Sequence, residues 1–171
     1  MKIRNVVLLL VAVLVTGSIN TTYAQDADAK KTYTKVVDAS ADNVWSVLRK
    51  MDKIDQYTQN IARVEWSGNM GVGGTRKCFA PDGKGYFKEH IVAYDDTNRT
   101  FSYAVVEGVP IKGMVNSWKV VDLGYQKSMV VWTTHYDAFM ENPQMTFDQF
   151  MGFIDASLNE FVGNVVAAAK M

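Results

Sequence analysis

The C-terminal end of the chain sets the strongest condition on its fold. Phe147, Phe150, Met151, Ile154, Leu158, Phe161, Val162 and Val165 recur at helical spacing, which predicts a long helix with one apolar stripe. Asn142-Pro143 reads as its cap followed by proline at the first helical position. A stripe of that length must be covered, and the rest of the sequence offers a sheet to cover it. Strand-like runs fall at about Thr32–Val37, Ile61–Trp66, Gly74–Phe79, Gly85–Tyr94, Thr100–Glu107, Lys112–Asp122 and Ser128–Asp137. The connections PDGKG, DDTNR and LGYQK have turn chemistry, so an antiparallel meander is the simplest topology. After the first strand the period changes. Ser40 caps a helix carrying Val44, Trp45, Leu48 and Met51 on one face, and DKIDQYTQN forms a second helical turn. The expected architecture is α+β: a curved antiparallel sheet of about seven strands around a long C-terminal helix, with two short helices after strand 1.

The N-terminus reads as a three-part export signal. Lys2 and Arg4 precede the apolar run Val6–Val15, and Thr22-Tyr23-Ala24 supplies a cleavage site before Gln25. The run is short for a transmembrane helix, which needs about 20 residues. Residues 1–24 are therefore expected to be a cleaved signal, 25–31 a mobile polar lead, and 32–171 a single domain. Periplasmic export without stable membrane insertion follows as the expectation. Cleavage removes two cations and no acid, leaving 147 of 171 residues and a formal charge of −2. A balanced surface gives no electrostatic footprint for nucleic acid. The one cysteine, Cys78, precludes an internal disulfide and reads as a buried strand thiol.

GNMGVGGTRKCF, residues 68–79, invites comparison with a phosphate loop. Gly74 is followed by Thr75-Arg76 rather than by Lys-Ser/Thr, and the segment runs on into a strand. It lacks the helix N-terminus whose converging N–H groups hold phosphate. A hairpin turn or cavity rim is the reading it supports.

The pieces VVDASADNVWSVLRKM, GVGGTRKCF, GYFKEHIVAYDDTNRTFSYAVVEG and VVWTTHYDAF, in that order, resemble the START-like (SRPBCC, Bet v 1-like) superfamily. They are most similar to its polyketide cyclase/dehydrase and lipid-transport branch. The resemblance runs from about Lys31 to Lys170 and rests on Ala39-Ser40-Ala41 with Val44-Trp45, on Gly71-x-Gly73 with Arg76, and on Glu89 with Tyr94-Asp95. It implies a helix-grip fold and a deep cavity between sheet and helix for apolar ligands, with or without chemistry. A signal peptide on a stand-alone domain is also similar to the periplasmic accessory proteins of bacterial methanol oxidation. That similarity implies a dehydrogenase or cytochrome partner.

Candidate side chains follow from residue type and strand position. Arg76, Tyr86, Tyr103, Trp118 and Trp132 are the expected ligand-binding set, the aromatics offering apolar area with a polar tip. Val109, Pro110 and Ile111 place apolar side chains on a loop, as a lid or a partner surface. His90, His135 and Tyr103 are the candidates for polarising a ligand carbonyl. Glu89 and His90 are sequence neighbours in a strand and point to opposite faces, so they do not form an acid/base pair. Neither a metal site nor a cofactor is expected, since the two histidines and Cys78 lie in unrelated segments. Three functions stay open: a non-catalytic accessory or ligand-binding protein, a cyclase-, dehydratase- or isomerase-like enzyme, and a lipid carrier.

Overall fold

The computed structural model describes residues 29–171. The expected signal peptide lies outside the described residues, as does most of the polar lead. The elements are β1 (Lys31–Val37), α1 (Ala41–Leu48), a 3-10 segment (Met51–Gln56), β2 (Arg63–Ser67), β3 (Thr75–Phe79), β4 (Tyr86–Asp95) and β5 (Thr100–Glu107). They continue with β6 (Ile111–Lys112), β7 (Val115–Gly124), β8 (Lys127–His135), β9 (Ala138–Phe139) and α2 (Phe147–Ala169). Seven strands pair antiparallel in the order β1-β8-β7-β5-β4-β3-β2, and β6 pairs with β9 in a separate two-stranded ribbon. Register shifts within β4 and near the end of β7 mark bulges, which bend strands and let the sheet wrap its helix. This is the helix-grip arrangement.

Local chemistry explains the boundaries. The Ser40 hydroxyl accepts from the Asn43 N–H at 3.2 Å and starts α1. The β7–β8 hairpin turns through Tyr125 and Gln126, both at positive φ, the backbone of a two-residue turn matched to strand twist.

Two boundaries differ from expectation. The run Lys112–Asp122 is divided, because the backbone turns at Gly113 between β6 and β7. The long helix starts at Thr146 rather than at Asn142-Pro143. Thr146 and Gln149 form a reciprocal capping box, satisfying an orphan donor in each direction. Asn142 instead accepts from the Gln144 N–H at 2.9 Å in a local turn.

The core lies between the concave face of the sheet and the two helices. Val44, Trp45, Leu48 and Met51 bury against Phe101, Val120 and Val130, and α2 adds Phe150, Leu158, Val162 and Val165. The glycine-rich segment links β2 to β3 and is stitched to β4. Gly73 donates to the Ile91 carbonyl, and the Ile91 N–H donates to Gly74. A Cβ on Gly74 would collide with the Asn69 carbonyl oxygen and the Trp66 ring. Glycine is required there for close approach, which is an architectural role.

Candidate functional site

Strand alternation assembles the site. Inward-facing positions put Arg76 and Cys78 on β3, Phe87 and Glu89 on β4, Tyr103 and Val105 on β5, Asn116 and Trp118 on β7, and Trp132 on β8. Above them, Phe150, Phe153, Ile154, Leu158 and Phe161 of α2 do not close fully onto the sheet. A cavity of about 200 Å³ remains, walled by apolar and aromatic side chains with a few polar groups among them. Val109, Met114, Ile54 and Ile61 also line it.

The polar part of the wall begins with an ion pair. Arg76 and Glu89 sit directly opposite on β3 and β4. Each is 3% exposed, and the Arg76 Nε–H donates to the Glu89 carboxylate. A second guanidinium N–H donates to the Met51 carbonyl at 3.1 Å, and the guanidinium carbon lies 4.7 Å from the Tyr103 ring centre. Burial is the largest influence on the Arg76 pKa and works to lower it. The Glu89 charge, helped by Cys78, Tyr103 and the hydrogen bond to Glu89, outweighs it and holds the guanidinium charged. Burial also pushes the Glu89 carboxyl upward, against the pull of Arg76. The pair is a desolvated charge couple whose stability depends on both members being present.

Tyr103 stands beside it. Its hydroxyl accepts a long contact from Trp132 Nε1 at 3.5 Å. Burial first, and then the Glu89 charge, push this phenol up to about 12, so it stays a neutral O–H donor at ordinary pH. The same two influences, in the same order, push the Cys78 thiol to about 12. Fully buried and protonated, Cys78 packs as a small apolar side chain and is not a nucleophile. Thr58, Asn60 and Ser157 also line the cavity, the Asn60 amide donating to the Ser157 hydroxyl at 3.0 Å, and Asn116 adds a further amide. It is 3% exposed, lines the cavity, and its Oδ1 has no hydrogen-bond partner.

Of the expected ligand-binding set, Arg76, Tyr103, Trp118 and Trp132 converge on the cavity. Tyr86 does not. It is exposed on the outer part of β4 and donates to Glu107 at 2.9 Å. The proposed catalytic histidines also lie elsewhere. His90 faces solvent from the side of β4 opposite Glu89, and half-buried His135 closes β8 opposite Val115, outside the cavity lining. Among the three candidates only Tyr103 is in the wall. The loop Val109-Pro110-Ile111 is less available than expected. Ile111 is 4% exposed because β6 pairs with β9, and Val109 packs onto the core. Gly108 lets the chain enter this loop: at positive φ it passes so close to Tyr86 that a Cβ would strike that residue's carbonyl.

Asn116, Phe153, Ile154 and the Met51 carbonyl were not anticipated as site groups. For Asn116 the signal was present, since it shares parity with Trp118 and Val120 in VNSWKV. A polar residue in the inward register of a buried strand marks a site. Among the described residues, no three His, Cys, Asp or Glu side chains gather as metal ligands.

Solved structures share this fold. XoxI from Bacillus cereus is 14% identical, with a TM-score of 0.69 over 81% of this chain and 93% of that one. The Zhui aromatase/cyclase from a Streptomyces species is 18% identical, with a TM-score of 0.64 over 82% and 92%. Norcoclaurine synthase from Thalictrum flavum, in complex with dopamine and hydroxybenzaldehyde, is 20% identical, with a TM-score of 0.55 over 75% and 83%. No match was found among curated protein sequences. The sequence profile described as polyketide cyclase/dehydrase and lipid transport matches residues 28–169. On that match over most of its length, with the helix-grip fold and the cavity beneath α2, the chain belongs to the polyketide cyclase/dehydrase and lipid transport family.

Proposed function

We propose that this protein binds a small apolar molecule between sheet and helix as a carrier or accessory protein, without transforming it. The observation that carries the reading is the wall of the cavity. It is apolar and aromatic, and its charged groups, Arg76 and Glu89, are committed to each other. A pocket of that kind favours burial of apolar surface over the placing of a reactive group. The signal-like N-terminus favours the periplasm as its place of work. In the finer form of the reading, by similarity to accessory proteins of the MxaD type, the partner is a periplasmic dehydrogenase or its cytochrome acceptor.

Native mass spectrometry of protein purified from its host tests the central claim. A co-purified apolar ligand, lost when Trp118→Ala disrupts the wall, is the expected result. Empty protein that takes up no apolar compound sinks the carrier reading. For the finer claim, purified protein is added to dehydrogenase–cytochrome turnover, and an unchanged rate removes that role. One observation favours a cyclase- or dehydratase-like enzyme instead: the neutral Tyr103 donor lies in the wall beside Arg76 and Glu89. Release of a ligand altered by incubation, with the change abolished by Tyr103→Phe, would select that reading.

A further inference from the structure

The polar group left open in the wall narrows the ligand class, on the reading that the cavity takes an apolar molecule. Asn116 lies opposite Tyr103 on one side and Thr134 on the other in the strand ladder. Both the Asn116 Oδ1 and the Thr134 Oγ1 are buried without a partner. A buried polar atom without a partner is costly, and this one belongs to a side chain that lines the cavity. The terminal amide torsion is soft and two-fold, so Asn116 can present its acceptor or its donors to whatever fills the space. Across the ladder, the Tyr103 hydroxyl takes the Trp132 N–H as acceptor and keeps its own proton to give. The charged pair is a weaker reader of a neutral group, because two of the Arg76 N–H donors already go to Glu89 and the Met51 carbonyl and its charge is balanced by the Glu89 carboxylate.

The geometry points to a small neutral ring compound bearing a hydroxyl, an alcohol or phenol, with Asn116 as the residue that reads the hydroxyl. A hydroxyl both donates and accepts, so it meets a carboxamide in either orientation and also takes the Tyr103 proton. An anionic ligand is disfavoured, because the Arg76 charge is already balanced by the buried Glu89 carboxylate, which would repel a second anion beside it. The size agrees: an apolar cavity of about 150 Å³ holds benzene, and about 200 Å³ here admits a body of one or two rings.

Calorimetric titration of the intact protein with 2-naphthol, 2-methylnaphthalene and 2-naphthoate tests the assignment. Asn116→Leu keeps the volume and removes the polar group. It is expected to shift the affinity ratio of naphthol to methylnaphthalene by about tenfold toward the hydrocarbon. Should Asn116→Leu misfold, the wild-type protein still decides. The Asn116 side-chain amide resonances should move with 2-naphthol and not with 2-methylnaphthalene. A ratio unchanged by the substitution, or amide resonances that ignore the hydroxyl, overturns the Asn116 assignment and leaves the apolar-carrier reading standing. Tighter binding of 2-naphthoate than of 2-naphthol overturns the neutral-ligand class. If wild-type protein binds none of the three, the carrier reading falls and this inference falls with it.

Discussion

The two halves of α2 do different work on the same sheet. The C-terminal half contributes Val162 and Val165, each 1% exposed, to a core that includes Val44 and Trp45 of α1, against which α2 packs. The N-terminal half roofs the cavity with Phe150, Phe153 and Ile154, joined by Leu158 at the middle and Phe161 just beyond it, and Phe153 is 46% exposed. The difference lies in what shares the groove. α1 fills one end of the concavity and leaves the helix a dry, close-packed seat. Under the other end lie a charge pair, a phenol and an amide, which cannot be packed as densely as aliphatic side chains. One helix thus anchors the fold at one end and covers a binding space at the other.

The largest effect expected from breaking this contrast is at Glu89. Replacing it with alanine leaves Arg76 charged, buried and facing the cavity. The expected loss is about 3–5 kcal/mol in a urea melt. The double variant Arg76→Met with Glu89→Leu should recover most of that loss, since a buried pair is often no better than packed apolar residues. If Glu89→Ala alone melts like the wild type, the cavity half is wetter than its burial implies.

The anchoring half comes next. Val165→Ala removes methyl groups from a seat that cannot collapse and should cost about 2 kcal/mol. Affinity for a ring compound in the cavity should stay within about twofold, because Val165 is not in its wall. A large change in affinity from this substitution would mean that the two halves are coupled through the helix.

Alkaline titration separates the halves again, because Val162 and Val165 do not titrate whereas the cavity half buries Cys78 and Tyr103. Both acids are pushed up to about 12 from ordinary values of 9.0 and 10.0. The folded chain therefore holds these protons where the unfolded chain has already released them. Their stability is fully present below about pH 9 and falls as pH rises toward 12, by up to about 1.4 kcal/mol per pH unit per group. Urea midpoints between pH 8 and 11 should drop accordingly, and Tyr103→Phe should flatten the slope above pH 10. A slope unchanged in that variant would place the phenol in contact with water.

Most of this scaffold was legible in the sequence. The period-two runs located the seven strands of the main sheet to within two or three residues but gave no sign of the β6–β9 ribbon. The stripe from Phe147 to Val165 located the covering helix, because periodicity follows from burial on one face. The helix start was misread because Asn142-Pro143 imitates a cap, while the Thr146–Gln149 box that won is an equally short signal. The site was less legible. Arg76 stands out through its place in the Gly71-x-Gly73 piece, and Tyr103, Trp118 and Trp132 through residue type in predicted strands. Tyr86 was not excluded, since a bulge in β4 breaks the alternation between the two ends of the strand. His90 and His135 attracted a catalytic reading by chemistry alone, and strand direction turns His90 outward. The cavity itself comes from how far α2 stands off the sheet, a tertiary quantity that no local pattern encodes.

The smallest stability effect, at Phe153, is the sharpest test of the division of labour. Its ring is nearly half exposed and meets the cavity from the roof, so truncation to alanine removes little that is buried in the empty protein. The expected cost is less than about 1 kcal/mol, in the range of ordinary partly exposed substitutions. The same truncation widens the cavity mouth and takes away part of the surface that a bound ring would cover. Ligand dissociation measured by stopped-flow fluorescence should then quicken by about fivefold to tenfold, roughly the worth of one buried aromatic contact. Val165→Ala is the reverse case, large in stability and small in affinity. If Phe153→Ala were as destabilising as Val165→Ala while leaving dissociation unchanged, the N-terminal half of α2 would be a second anchor. In that event the space beneath it would be a packing defect with no role in binding.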